Sequence, residues 1–303
     1  MKSGICHLYL AKDRVPDQFA HTRASGITMK KTLLAITSIV TALVLPGCFQ
    51  SETTIHLNKD GSGKLVEETK FGAQMVAMME QMAAMGGEDA KKENPMKEMI
   101  SEEKAKARLK DLGEGVTFEK VEPLDANGSK GARVTYAFKD INKLKVSAGD
   151  GMKAMGDMPG AEAAEKPKEE PVGFTYANGK LVVKMPQPKK ADAPAKEADE
   201  GAAEPDMDSP EAMAMMKQIM GDMKMSLKLV IEPGIDESNA THKDGNTITL
   251  MEMDMSKLVQ NEAAMKKLAK MGKEKDPKAA MEALKGVEGI KVETNEEVTV
   301  KVK

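Results

Sequence analysis

Tryptophan is absent from this chain, and its 303 residues include only three tyrosines and six phenylalanines. That scarcity removes the stacking groups a nucleic-acid surface would use. Histidine is nearly as rare, with four residues in all. No GxSxG, Walker loop, HExxH or dinucleotide fingerprint occurs, so no motif points to hydrolase, nucleotide or zinc chemistry. Carboxylates are abundant but interleaved with lysine, the pattern of a solvated face, and no acid/base pair stands out among them.

What is present starts near the N-terminus. Lys30 and Lys31 open an uncharged run from Thr32 to Leu45 that ends in Pro46-Gly47-Cys48. A spanning helix needs about 20 apolar residues, so this shorter run with its Pro-Gly break reads as a cleaved signal. Leu45 to Cys48 looks like the lipobox of a bacterial lipoprotein, with Pro46 standing where Ala, Ser or Thr is commoner. In lipoproteins that the motif resembles, the Cys thiol takes a diacylglyceryl group, cleavage falls between Gly47 and Cys48, and the new amine is acylated. Each buried CH₂ contributes about 0.8 kcal/mol, so several chains make an effectively permanent anchor. The expectation is therefore a signal over 29–47 and a mature chain over 48–303, membrane-held through Cys48. Residues 1–28 carry no signal of their own and read as an upstream extension or a mis-assigned start ahead of Met29.

Loss of residues 1–47 removes six basic and two acidic side chains, taking the formal charge from -3 down by four to -7. A mildly acidic surface argues against nucleic acid. With Cys48 acylated and Cys6 removed, disulfides, thiolate metal sites and cysteine nucleophiles are excluded as well.

Along the mature chain, polar and apolar residues alternate from Ser51 to Phe71 around Asn58-Lys59-Asp60-Gly61-Ser62-Gly63. This predicts a β-hairpin in which the Asp-Gly pair and Gly63 supply positive φ. Met75, Met78, Met82 and Met85 recur at helical spacing before Gly86-Gly87, and a second helix is expected from Met96 to Leu112, capped by Gly113. Val116–Val121 and Ala132–Phe138 predict an antiparallel pair turning at Asn127-Gly128, and Phe174–Met185 a hairpin about Asn178-Gly179. Residues 147–171 and 186–208 are rich in Ala, Lys, Glu and Pro with little to bury, which predicts disordered loops. Ser209-Pro210 opens a helix bearing Met213, Met216, Met220 and Met223. Strands over Met225–Ile231 and Thr247–Met255, helices over Ser256–Met271 and Pro277–Leu284, and one extended segment from Ile290 to Val302 complete the pattern. The expected class is α+β with a mainly antiparallel sheet and several helices, as one domain interrupted by two solvated loops; two smaller domains split near residue 190 are the alternative.

The strand-DGSG-strand segment after the lipobox, the stretch LVIEPGIDESNATHKDGNTITL and the strand GARVTYAFKDINKL resemble segments of an LppM-like group of bacterial envelope lipoproteins. The resemblance implies an α+β envelope domain and supplies no catalytic residues. Sorting rules of two-membrane bacteria add that Phe49, a residue other than aspartate after Cys48, implies the outer membrane facing the periplasm.

Methionine is the compositional anomaly, at 26 residues. The helical stripes read as core faces or as an adaptable partner groove. Met152, Met155 and Met158 at MxxMxxM spacing offer thioethers for Cu(I), and Met251, Met253 and Met255 give MxMxM, which on a strand marks one buried face. His56, Asn58, Asp60, Gly61, Ser62 and Glu67 fall at calcium-loop positions, but His replaces the usual Asp and a hairpin turn explains the same glycines. His56 and His242 each precede a turn, and Asn239-Ala240-Thr241 is an incidental glycosylation sequon. The expected role is a lipid-anchored, non-enzymatic envelope protein with no cofactor, structural or bound to an envelope partner. A Met-rich Cu(I) protein and a hydrolase without a recognisable motif are the alternatives.

Overall fold

The computed structural model describes residues 49–85, 101–151, 170–186, 221–261, 263–265 and 285–303. The first strand, β1 (Phe49–Leu57), shows how its sequence selects its place: Phe49, Ser51, Thr53, Ile55 and Leu57 are buried while the residues between them stay half-exposed. That period-2 alternation buries one face and leaves the other to water. Strand β2 (Gly63–Phe71) returns antiparallel, pairing Ile55 with Leu65 and Phe49 with Phe71.

Gly63 serves a different purpose from the one its sequence context suggests. Positive φ at the turn belongs to Gly61, at 86°. At Gly63 a Cβ would lie 1.9 Å from the His56 carbonyl oxygen and 2.5 Å from the Phe138 ring, so the absent side chain permits close approach.

Further strands are β3 (Val116–Ala126), β4 (Ser129–Phe138), β5 (Gly173–Ala177), β6 (Lys180–Lys184), β7 (Lys224–Ile231), β8 (Ile235–Ser238), β9 (Lys243–Asp244), β10 (Thr247–Asp254), β11 (Ile290–Val292) and β12 (Glu297–Val302). They form an 8-stranded sheet in the order β11-β10-β7-β1-β2-β4-β3, with β9 also paired to β10, and a 4-stranded sheet in the order β5-β6-β12-β8. All pairs are antiparallel except β1 with β7. The class is α+β with mainly antiparallel sheets, and β7, from beyond residue 190, lies beside β1 in the same sheet. Among the described residues no helix is long and apolar enough to cross a membrane.

Both dipeptide turns adopt the left-handed geometry expected of tight hairpins. Asn127 and Gly128 have φ of 54° and 78°, and Asn178 and Gly179 have 50° and 73°. The segment from Ile290 to Val302, expected as one strand, is two. β11 pairs with β10 in the larger sheet, and β12 pairs with β6 and β8 in the smaller one. Glu293 sits at the crossing with 1% exposure, and its carboxylate accepts from Thr241 N and Oγ1, Thr294 N and Asn295 N at 2.7–2.9 Å. Four donors satisfy a carboxylate that burial would otherwise penalise heavily.

Helices α1 (Ala73–Met85), α2 (Glu102–Ala107), α3 (Leu109–Leu112) and α4 (Met255–Gln260) pack with the sheets. In place of one helix ending at Leu112, α2 starts at N-cap Ser101, whose Oγ accepts from Lys104 N at 3.1 Å, and gives way to α3 at Arg108. On α1 the buried residues are Val76 and Met79, whereas Met78 is 49% exposed. The expectation that Met75, Met78, Met82 and Met85 mark the core face is thereby corrected at Met78, while Met75 packs half-buried against the cluster beside Val76 and Met79.

MxMxM marks one inward face at Met251 and Met253, which pair opposite buried Leu227 and Met225 and are themselves half-buried; Met255 departs from it. Pairing of β10 with β7 shifts between Thr249 and Met251, and this bulge breaks the alternation at Leu250. Met251 packs beside one apolar cluster, Met253 beside another, and Met255 belongs to α4. Of the expected disordered loops over 147–171 and 186–208, residues 147–150 instead form a turn, in which Ser147 N donates to Asp150 Oδ2 at 2.8 Å; residues 152–169 and 187–208, the helices beginning at Ser209 and Pro277, and Met152, Met155 and Met158 lie outside the described residues, as do Met29, Gly47 and Cys48.

Candidate functional site

Two apolar clusters share the covered face of the larger sheet. The first joins Ile55, Leu57, Leu65, Tyr136 and Leu229 to Leu181, Val183, Val298 and Val300 of the smaller sheet. The second gathers Phe49, Phe71, Val76, Met79, Met225, Met255 and Leu258 around α1 and α4. Phe49 and Phe71 meet there with ring centroids 5.4 Å apart, a pairing worth about 0.5–1.5 kcal/mol beyond area burial.

Between the clusters the same strand register must supply something, and it supplies polar residues. Going along β1, Phe49 is followed inward by Ser51 and Thr53 before Ile55; on β2 the matching positions are Thr69 and Glu67. A glutamate at an inward-facing position requires a partner. Arg108, at the break between α2 and α3, provides it: Nε donates to Glu67 Oε1 at 3.0 Å and Oε2 at 2.9 Å, and Nη2 donates to Oε1 at 2.7 Å. Nη2 also donates to Asp150 Oδ2 at 3.0 Å, and Ser147 N donates to the same oxygen at 2.8 Å. Side-chain exposures of 21% for Arg108, 17% for Glu67 and 6% for Asp150 put this cluster largely out of water.

Burial alone would lower the guanidinium's proton affinity, but the charges and hydrogen bonds of Glu67 and Asp150 overcome that and hold it well above its ordinary range. Beside it, the Tyr136 hydroxyl donates to the Ala105 carbonyl at 3.0 Å. Burial pushes the phenol's pKa far up, the Glu67 charge adds to the rise, and Arg108 opposes it. The turn carrying Asp150 lies over β1 because residue 151 is glycine: a Cβ there would sit 2.7 Å from Ser51 Oγ. Forked pairing of one guanidinium with two carboxylates ties both the α2–α3 break and the 147–150 turn to the sheet. The cluster's chemistry is that of a clamp.

The open face of the larger sheet carries ion pairs of another kind. Lys228–Glu52 at 2.9 Å and Lys291–Glu252 at 3.2 Å join neighbouring strands, and Lys64–Glu119 at 2.9 Å reaches from β2 across β4 to β3. Of these, the exposed Lys64–Glu119 pair contributes about 0–1 kcal/mol.

Residues singled out by sequence are placed apart. His56 Nδ1 lies 2.7 Å from Glu232 Oε1, whereas His242 precedes β9, three strands from β1, or roughly 14 Å at about 4.8 Å per strand. The hydrolase alternative needs a pocket gathering His56 or His242 with carboxylates; His56 instead pairs with Glu232 at the surface, with side chains 35% and 48% exposed, and the two histidines stand apart. Of the calcium-loop residues, Asp60 Oδ1 accepts from Ser62 N at 3.0 Å and Oγ at 2.6 Å, Asn58 Nδ2 donates to Ser62 Oγ at 3.1 Å, and Glu67 turns to Arg108. These contacts close a turn rather than a coordination sphere, and no metal-holding group of three or more His, Cys, Asp or Glu occurs among the described residues. Asn239 of the sequon accepts from Thr299 N at 2.7 Å and donates to the Glu297 carbonyl at 3.1 Å, which fixes it against β12. The Glu67–Arg108–Asp150 cluster was missed. Its one local signal was a charged residue at an inward position of an alternating strand.

Fold and site together define a two-sheet α+β domain with a charged clamp between two apolar clusters. No protein-family profile matches the chain, and no curated protein does. Among solved structures, the chain is weakly similar to the folded domain of the Mycobacterium tuberculosis protein LppM, determined by NMR. The identity is 9% and the TM-score 0.26, over 70% of this chain and 85% of that one. A likeness of that size carries no argument about function.

Proposed function

We propose that this chain is a lipid-anchored, non-catalytic protein of the bacterial cell envelope, held to a membrane through acylated Cys48 and acting through its two-sheet domain as a structural or partner-binding element. The observation that carries the reading is the adjacency of the Leu45-Pro46-Gly47-Cys48 motif to β1, whose first residue is Phe49. Signal and domain abut at the residue where a lipoprotein signal is cut and its anchor attached. The separation of His56 from His242 and the mutual pairing of Glu67, Arg108 and Asp150 favour a binding or structural role over catalysis. Phe49 after Cys48 supports placement at the inner leaflet of the outer membrane in a two-membrane bacterium.

Metabolic labelling with an alkynyl palmitate analogue tests the anchor. Label is expected on the wild-type chain and not on Cys48→Ser, and globomycin is expected to leave the signal attached. An unlabelled wild type, or equal label on the Ser variant, would overturn the reading.

A further inference from the structure

The second apolar cluster lies at the end of the larger sheet where β1 begins. Phe49 is paired with Phe71, Gln50 with Lys224, and the Phe49 ring is 1% exposed inside the cluster. Consecutive Cα atoms are about 3.8 Å apart, so residue 48 is tied within one peptide unit of a strand fixed by neighbours on both sides. An acyl group on Cys48 would have no spacer: β1 could not peel away to provide one without drawing Phe49 out of the cluster.

Helix α1 covers this same end, with Val76 and Met79 turned toward Phe49 and Phe71. On its outer side stands Met78, the exposed large hydrophobic residue among those described. Charges around this end are of both signs, including Lys130 paired with Glu80 at 2.8 Å, so the surface is not a polybasic one built for anionic lipid. The β1–β2 turn at 58–62 lies at the opposite end of β1, roughly 26 Å away for the eight steps from Phe49 to Leu57 at about 3.3 Å each.

We infer that the end of the domain bearing α1 rests on the lipid bilayer, with Met78 in contact with the acyl region and the β1–β2 turn directed away from it. This rests on the proposed anchoring at Cys48 and adds an orientation that anchoring through a flexible spacer would not impose.

The test uses full-length chain carrying Cys6→Ser, processed in a lipoprotein-maturing host and reconstituted in phosphatidylcholine vesicles containing a lipid with a spin label near the top of its acyl chain. An environment-sensitive fluorophore is attached at Met78→Cys or, in a second protein, at Ser62→Cys, and acylation of Cys48 is verified by mass spectrometry. Both sites are exposed or half-exposed, and circular dichroism checks that each variant keeps the fold. Quenching of the dye at 78 and its absence at 62 is the expected result. Acylated protein quenched equally at both sites, only at 62, or at neither would overturn the orientation while leaving the anchor standing. Protein without the acyl group would remove the anchor and the orientation together.

Discussion

Replacing Arg108 with methionine deletes a guanidinium that makes three hydrogen bonds to Glu67 and one to Asp150, all between 2.7 and 3.0 Å. The methionine keeps much of the side-chain stem, so the loss falls on the charge. Glu67 and Asp150, with 17% and 6% of their side chains exposed, are left as two carboxylates of like sign on the covered face of the sheet. Breaking one partner out of a buried pair costs about 3–5 kcal/mol, because the remaining charge is uncompensated. The lower part of that range is expected here, since the cluster is not wholly sealed from water. Arg108→Lys retains a charge without the planar fork and is expected to lose about 1–2 kcal/mol. Neutralising the larger partner as well, in Glu67→Gln with Arg108→Met, is expected to recover part of the loss, giving a coupling energy of about 1–3 kcal/mol in a double-mutant cycle. Urea denaturation at pH 7 followed by far-ultraviolet circular dichroism measures each value. An Arg108→Met loss below about 0.5 kcal/mol would place the cluster among ordinary surface pairs and refute the clamp.

Two further outcomes follow from the same geometry. Tyr136 keeps its proton in the folded state at pH values where the unfolded phenol, with its ordinary value of 10.0, has lost it. The folded pKa is raised, so this contribution is complete below about pH 10 and is lost as pH climbs above it. Tyr136→Phe is therefore expected to flatten the fall in stability between pH 9 and 11, at a cost near neutrality of about 1 kcal/mol for the unpaired Ala105 carbonyl; an unchanged alkaline slope would contradict it. Gly63→Ala forces a Cβ against the His56 carbonyl and the Phe138 ring and is expected to lose about 3 kcal/mol, the upper part of the overpacking range. A neutral result in thermal unfolding would mean the β1–β2 end can shift freely.

The hairpins were legible because their causes are local. Asn178-Gly179 and Asn127-Gly128 carry within two residues the φ preferences that reverse a chain, and alternation in the flanking segments says which side chains turn inward. The charged cluster was not legible, because Glu67 lies 41 residues before Arg108 and Asp150 lies 42 after it. Nothing in the spacing says that a helix break and a loop turn will converge on one strand position. Similarly, the stripe of Met75, Met78, Met82 and Met85 fits a helix but does not reveal which side meets the sheet. Packing against Phe49 and Phe71 draws in Val76 and Met79 with Met75 beside them and leaves Met78 outside.

By itself the sequence determined the α+β class, the tight turns, the alternation of β1 and the motif ending at Cys48, since each depends on neighbours a few residues apart. Tertiary structure alone decided that the last segment divides between two sheets at Glu293, that a bulge at Leu250 interrupts β10 ahead of its methionines, and that Glu67, Arg108 and Asp150 meet. Those outcomes depend on which distant surfaces bury one another, and the free energy of burial is set by the partner as much as by the residue.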